Sequence, residues 1–380
     1  EGPDADKAVG NLAMSYDALG DDIRSRDPQT ASEYYVKAFE LRQQLLAGPK
    51  SDYYPSFGLE EFMAVSHEKL GEVARLSEDS NEAKKRFLEA LAIRDRVCAA
   101  VPPDHDYHDE FQNKLAETHF MLGNLYRLAG DWMPAQKHLS NCVQIRDQLL
   151  VKDPVNVTIQ RQLVRSYNTL GDAFLYPGDA PAATQNYREA LKITQQMLLA
   201  EDDPAYRRGL LSPTYYRLGD AALKADGRQA ADEYFKQCEQ ILGAFLVDGV
   251  AKSASLKTEW MLVIARRGMH EKASKLAEEI SLSVERQQSN LIQAACGYAQ
   301  CISGVTFQKP EGQLTADDIS LQARYADLAM DAIDRALEKG FNDLVTLTYE
   351  PDLEPVRKHP RYTALIEKLK TNASPSTQQP

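Results

Sequence analysis

The dipeptide Leu-Gly returns at Leu19-Gly20, Leu70-Gly71, Leu122-Gly123, Leu170-Gly171 and Leu218-Gly219, so successive glycines stand 51, 52, 48 and 48 residues apart. Self-similarity at a nearly fixed period restricts a chain to stacked copies of one supersecondary unit, because each unit can hide its apolar face only against its neighbours. A flat ring precedes each glycine by four residues: Tyr16, His67, His119, Tyr167 and Tyr215. Downstream, a small, a large and a second small residue recur as Ala31/Tyr35/Ala38, Ala83/Phe87/Ala90, Ala135/Leu139/Cys142, Ala183/Tyr187/Ala190 and Ala231/Phe235/Cys238. Leu41, Ile93, Ile145, Ile193 and Ile241 then close the units.

Residues at i, i+4 and i+7 share one face of a helix, so each unit reads as two antiparallel helices. A mid-helix glycine costs about 1 kcal/mol relative to alanine, and its recurrence implies that a larger side chain would separate the two helices. The large middle residue of the second helix fills the space beside it. Gly130-Asp131, Pro177-Gly178-Asp179 and Asp226-Gly227 break one helix and start the next. Units end near Pro49, Pro102-Pro103, Pro154 and Pro204.

This pattern resembles the tetratricopeptide repeat, in which an aromatic residue, Leu-Gly, Ala, an aromatic residue and Ala recur at these offsets. Family repeats run near 34 residues, so the longer period here implies both helices extended by roughly two turns. The resemblance implies an all-α, right-handed superhelical α-solenoid of six to seven repeats. Repeats are expected at 1–50, 51–103, 104–154, 155–203 and 204–250, with a short repeat at 251–286 and an irregular one at 287–340. The short one carries Trp260 on its first helix and Ala273, Ala277 and Ile280 on its second. The run Tyr349-Glu350-Pro351-Asp352-Leu353-Glu354-Pro355-Val356-Arg357 through Tyr362 to Leu365, preceded by Tyr325-Ala326 and Gly340-Phe341, is similar to the ending of tetratricopeptide arrays attached to bacterial Ser/Thr kinases. It implies a capping segment over 341–370, with Leu353, Val356, Tyr362 and Leu365 covering the open end of the core. The polar stretch 371–380 is expected to be disordered.

Charge and cysteine usage narrow the function. With 44 Lys+Arg against 56 Asp+Glu the net charge is −12, which repels phosphate backbones and anionic lipid surfaces. No nucleic-acid partner and no membrane insertion are expected. Cys98, Cys142, Cys238, Cys296 and Cys301 are odd in number and lack zinc-ligand spacing, which favours reduced thiols and a cytoplasmic setting. Cys142 and Cys238 take the place of a small buried residue, whereas Cys296 and Cys301 would react if exposed. The opening EGPDADKAVG has no signal-peptide pattern and reads as the start of a fragment.

No catalytic run is present: a kinase Gly-rich loop, an HRD-type run, a DFG and a Walker loop are all missing. His67-Glu68 and His270-Glu271 lack the second histidine of a zinc-protease helix. The run Asp104-His105-Asp106-Tyr107-His108-Asp109-Glu110 is rich in metal-binding groups, but adjacent residues seldom converge on one ion, and its acids are expected to cap the helix beginning near Tyr107. No metal site, no cofactor and no catalytic residue is therefore assigned. His67 and His119 hold ring positions and are read as packing residues.

The resemblance implies that first helices line the ligand face. Counting from each glycine, solvent-facing positions give Met14, Asp17, Asp21 and Arg24; Glu68, Glu72 and Arg75; Glu117, Phe120, Asn124 and Arg127; Arg165, Asn168, Asp172 and Tyr176; and Tyr216, Asp220 and Lys224. Asn124 and Asn168 would fix an extended peptide backbone, the arginines would meet acidic groups, and Phe120 and Tyr216 would cover apolar ones. Phe120 and Thr169 fall where a carboxylate clamp needs polar groups, so a chaperone-tail receptor is not expected. The leading expectation is a scaffold that binds a peptide or protein, as the tetratricopeptide region of a bacterial regulator such as a Ser/Thr kinase. A homo-oligomer assembled through end or convex faces is the alternative, and a metal-dependent enzyme the weakest reading.

Overall fold

The computed structural model describes residues 3–48, 56–77, 79–199, 204–225, 227–245, 254–284, 287–307, 309 and 313–373. Every regular element among them is helical. In chain order these are α1 (Pro3–Ile23), α2 (Pro28–Ala47), α3 (Ser56–Leu76), α4 (Ser80–Ala100), α5 (His108–Leu128), α6 (Trp132–Lys152), α7 (Val157–Leu175) and α8 (Ala180–Met197). They continue as α9 (Pro204–Ala225), α10 (Arg228–Gly243), α11 (Ala254–Arg266), α12 (His270–Ser281), α13 (Gln287–Val305), α14 (Ala316–Glu338), α15 (Leu344–Tyr349), a 3-10 helix over Pro351–Val356 and α16 (Pro360–Ala373). None of the described helices is long and apolar enough to cross a membrane.

Two compact units divide the chain, Glu1–Leu170 and Gly171–Pro380, with the boundary inside α7. In the first unit α1 packs on α2, α2 on α3, and so on to α6. In the second, α8 packs on α9, α9 on α10 and α10 on α11, and α13 is covered by α11, α12, α14 and the 3-10 helix.

Helix starts follow from the turn chemistry. The carboxylates of Asp27, Asp79 and Asp179 accept from the backbone N–H groups of Thr30, Glu82 and Ala182 at 3.0, 3.0 and 3.1 Å, which satisfies donors that a first turn leaves open. Gly130 and Gly178 turn the chain at φ 77° and 108°, a region closed to most side chains. Asp226 and Pro49 lie outside the described residues. The acids before α5 do not cap it as expected: Tyr107 is the N-cap and makes no side-chain cap bond.

Each Leu-Gly glycine sits against the large residue of its partner helix. A Cβ on Gly71 would stand 2.7 Å from the Phe87 ring, and one on Gly219 would stand 2.5 Å from the Phe235 ring. Gly20 meets Tyr35, Gly123 meets Leu139 and Gly171 meets Tyr187 in the same way. The flanking alanines are fully buried, as are Cys142 and Cys238. Burial therefore lies in one stripe per helix, and the stripes meet where the glycine leaves room.

Several expectations change on contact with the structure. Leu41, Ile93, Ile145 and Ile241 are only half-buried; the next residue along is the buried one, and in the first three repeats that residue is Arg42, Arg94 or Arg146. Cys296 and Cys301 are buried, and burial pushes the Cys301 thiol up to about 12, so neither is poised to react. Leu353, Val356 and Tyr362 enter the core around α13, with Leu365 packed at its edge. Helix α16 runs through Thr371 to Ala373, so those three residues are ordered; 374–380 lie outside the described residues.

His67 and His119, each 8% exposed, are packed as their ring position implies. His119 Nδ1 lies 3.0 Å from His138 Nδ1, and Tyr126 stacks on the His138 ring. Burial, then the neighbouring His138, lowers the His119 pKa to about 4. The unfolded imidazole takes a proton near 6.5, so folding opposes protonation. Stability of the first unit is expected to fall as pH drops from 6.5 towards 4, by up to about 3 kcal/mol from this residue. Hydrogen exchange of α5 amides across that range measures it. His119→Tyr, which installs the ring of the other repeats, should flatten the slope; an unchanged slope would refute the assignment.

Candidate functional site

In the first unit, residues from the end of α1 and from α3, α5 and α7 converge on one cavity of about 380 Å³. Of the residues expected at the ligand face, Arg24, Glu68, Glu72, Arg75, Glu117, Phe120, Asn124 and Arg165 line it. Sequence reasoning missed Val65, Lys69, Phe87 and Met121, which complete the wall.

The charges of this wall are organised by a buried ladder of arginines on the second helices. Arg42 pairs with Asp17 and donates to Ser66 Oγ at 2.6 Å. Arg94 donates to Glu61 Oε1 at 2.9 Å and Oε2 at 3.2 Å, to Thr118 Oγ1 at 2.6 Å, and pairs with Glu68. Arg146 pairs with Glu117 and donates to Ser166 Oγ at 2.7 Å. Each rung thus ties an acid of its own hairpin to a hydroxyl of the next first helix. Buried charges persist only when paired and hydrogen-bonded. Burial still pushes the Glu68 carboxyl up, against the pull of Arg94. The signal was available: Arg42, Arg94 and Arg146 recur every 52 residues, four after the second small residue.

These pairings decide what the cavity offers. Glu68 and Glu117 are taken from behind by the ladder, Glu72 binds Arg75 at 2.6 Å, and Lys69 reaches Asp21 at 2.6 Å. Arg165 stays largely exposed, with its guanidinium 4.1 Å from the centre of the Phe120 ring. Phe120 is 3% exposed, so it serves as the floor under Arg165 and not as the solvent-facing group expected. Asn124 Oδ1 accepts from Arg127 at 2.9 and 3.1 Å, which leaves its NH2 group to meet a peptide carbonyl. Arg127 acts through Asn124 and does not line the cavity. Asn168 is partly buried and lines neither this cavity nor the one below. Asp17 is buried against Arg42. Met14 is exposed and also lies off the cavity wall.

The expected positions of the second unit are drawn inward instead. Asp172, Tyr176, Tyr216 and Asp220 line a separate cavity of about 270 Å³. Asp172 accepts from Arg217 Nε and from the Tyr187 hydroxyl, both at 2.9 Å. Asp220, 7% exposed, meets Arg266 at 2.7 Å. Arg266 also meets Asp352 at 2.5 Å, and the Tyr216 hydroxyl donates to Asp352 at 2.6 Å. Tyr216, and Asp220 through Arg266, thus tie down the 3-10 helix while they line this cavity. Their partners lie too far along the chain for any local pattern to reveal. Glu350, beside the same cavity, is pushed up to about 8 by burial and by the nearby Asp352.

The run at 104–110 is spent on local structure: His105 Nδ1 accepts from the Tyr107 backbone N–H at 3.2 Å, and His108 Nδ1 lies 3.2 Å from the Val101 carbonyl oxygen.

No family model and no curated protein matches the chain. Solved structures do. The chain is similar to the apo form of RapI, with 14% identity over 86% of this chain and 99% of that one and a TM-score of 0.52. The likeness shows a shared fold of packed helices. BtubC (BKLC) from P. vanneervenii is also similar, at 18% identity over 64% of this chain and 84% of that one, with a TM-score of 0.47. So are the nearly identical kinesin light chain TPR-like repeats of Podosopora anserina, at 18% identity over 65% and 99%, with a TM-score of 0.43. At 14% identity the likeness to RapI speaks to the fold alone.

Proposed function

We propose that this chain is a binding arm that holds an extended segment of a partner protein, or a free peptide, in the cavity of its first unit. The observation that carries the reading is the convergence of Arg24, Glu72, Arg75, Asn124 and Arg165, contributed by successive first helices, on one open space. A side-chain amide to orient a backbone, the exposed Arg165 guanidinium with the partly exposed Arg24 and Arg75, and Val65 and Met121 to cover apolar groups are the components of peptide recognition. The groups of this wall are held in place before a guest arrives, which lowers the ordering cost of binding. The similarity of the chain's end to kinase-attached arrays supports a place in a larger bacterial regulatory protein such as a Ser/Thr kinase, with the present residues recruiting and not catalysing.

Selection of peptides from a random library on the full chain tests this. Selected peptides are expected to lose about tenfold or more in affinity on Arg165→Glu, in line with loss of a charge-assisted contact. Lys192→Glu, on an exposed side chain in the other unit, should leave affinity unchanged. Peptides that bind Arg165→Glu and Arg75→Glu as tightly as the original chain would refute the site.

A further inference from the structure

The second unit holds a larger cavity, of about 570 Å³, bounded by α9, α10, α11, α13 and the segment after α15. Its chemistry differs from that of the peptide cavity and does not depend on it. Four cations line it, Lys224, Arg228, Arg266 and Lys358, against two carboxylates, Asp220 and Glu354. Arg266 is consumed by Asp220 and Asp352. The other three make no ion pair among the described residues. Lys224 reaches only the Leu175 carbonyl oxygen, at 3.5 Å. Arg228 donates to the Ser303 carbonyl oxygen at 3.2 Å and to Thr306 Oγ1 at 3.1 Å, both neutral acceptors. Lys358 is exposed and makes no side-chain hydrogen bond among the described residues.

We propose that this cavity is an anion site that takes a phosphoryl group, with Lys224, Arg228 and Lys358 as its cationic contacts. In a chain of net charge −12, Lys224, Arg228 and Lys358 gather on one cavity without a salt bridge among the described residues; Asp220 attracts Lys224 but is already held by Arg266, and Glu354 is the other carboxylate of the wall, so an entering anion meets three cations not tied up in ion pairs. They come from three separate segments, α9, α10 and the stretch after the 3-10 helix, and so approach from different directions. A tetrahedral dianion offers an oxygen to each, whereas a planar carboxylate offers two. The Arg228 guanidinium is half-buried with no carboxylate opposite, and burial lowers its pKa, the condition that a bound dianion would relieve. The space exceeds what one phosphate fills, and Leu223, Pro351 and Pro355 supply apolar wall for a carbon skeleton attached to it.

Calorimetric titration of the full chain at constant ionic strength tests the site, with inorganic phosphate, N-acetyl-phosphoserine amide and N-acetyl-serine amide as probes. Both phosphorylated probes are expected to bind and the unphosphorylated one is not. Lys224→Ala and Arg228→Gln should each weaken binding about tenfold, the effect of one charge-assisted contact. Lys358→Ala removes an exposed side chain, leaves folding untouched and should weaken binding in the same direction. Tighter binding of the phosphoserine derivative assigns the site to a phosphorylated side chain or metabolite, and equal binding assigns it to free phosphate; either upholds phosphoryl recognition. Binding that survives Lys224→Ala and Lys358→Ala unchanged, no binding of either phosphorylated probe, or equal binding of the unphosphorylated probe overturns it.

Discussion

Arg94→Ala is expected to destabilise the first unit by about 3 kcal/mol, because it takes the guanidinium away from two largely buried carboxylates, leaving Glu61 only the Lys114 ammonium at 3.7 Å. Glu61 is 4% exposed and loses a bidentate partner; Glu68 loses the cation that pairs with it and keeps the Thr118 hydroxyl, 2.8 Å away. The exposed pair Arg26–Asp22 gives the contrast: its side chains are 75% and 76% exposed, and Arg26→Ala should change stability by about 0.5 kcal/mol or less. Urea denaturation with hydrogen exchange read at α3, α4 and α5 separates the two. Arg94→Met combined with Glu61→Gln and Glu68→Gln should recover much of the loss, since the cost lies in uncompensated charge. An Arg94→Ala loss below about 1 kcal/mol would show that the carboxylates are not held as ions.

The second large effect concerns the glycine crossings. Gly71→Ala is expected to cost about 1–3 kcal/mol, although alanine favours a helix over glycine by about 1 kcal/mol, because the new methyl group meets the Phe87 ring. Phe87→Ala alone should cost about 3–5 kcal/mol by opening the core. In that background the sign of Gly71→Ala reverses, since the methyl group enters space the ring has left and the helix preference remains. A thermodynamic cycle over the four proteins measures the coupling. If Gly71→Ala stabilises the chain that retains Phe87, the glycine is not a packing requirement.

How much of this was readable beforehand depends on how far apart the interacting residues lie. Gly71 and Phe87 belong to one hairpin, and the offset of 16 residues, kept in the last four repeats and 15 in the first, announces a contact with different large residues. The lining of the first cavity was legible for the same reason: Glu72 and Asn124 follow their glycines by one residue, Arg24 and Arg75 follow theirs by four, and Glu117 and Arg165 precede theirs by six. Arg94 was not. Side-chain hydrophobicity ranks Ile93 inside and Arg94 outside, and only partners on two other helices reverse that order. Asp220 failed similarly, since its solvent-facing register is overridden by Arg266 and by the return of Asp352 from far along the chain. Helix α16 was cut short on composition, because Thr371 and Asn372 look like the start of a polar tail although their backbone continues the last turn.

The arginine ladder also limits how the gene for the first unit can change. Because each rung draws its acid from one hairpin and its hydroxyl from the following one, no hairpin there is a self-sufficient module. Ser or Thr nevertheless stands five residues before every Leu-Gly glycine, at Ser15, Ser66, Thr118, Ser166 and Thr214, so a hairpin copied or exchanged whole brings the hydroxyl that the arginine before it requires. A crossover inside a hairpin would instead part Arg94 from Glu61 and Glu68 and leave a buried charge unpaired. Recombination is therefore expected to respect the boundaries between hairpins and to avoid their interiors.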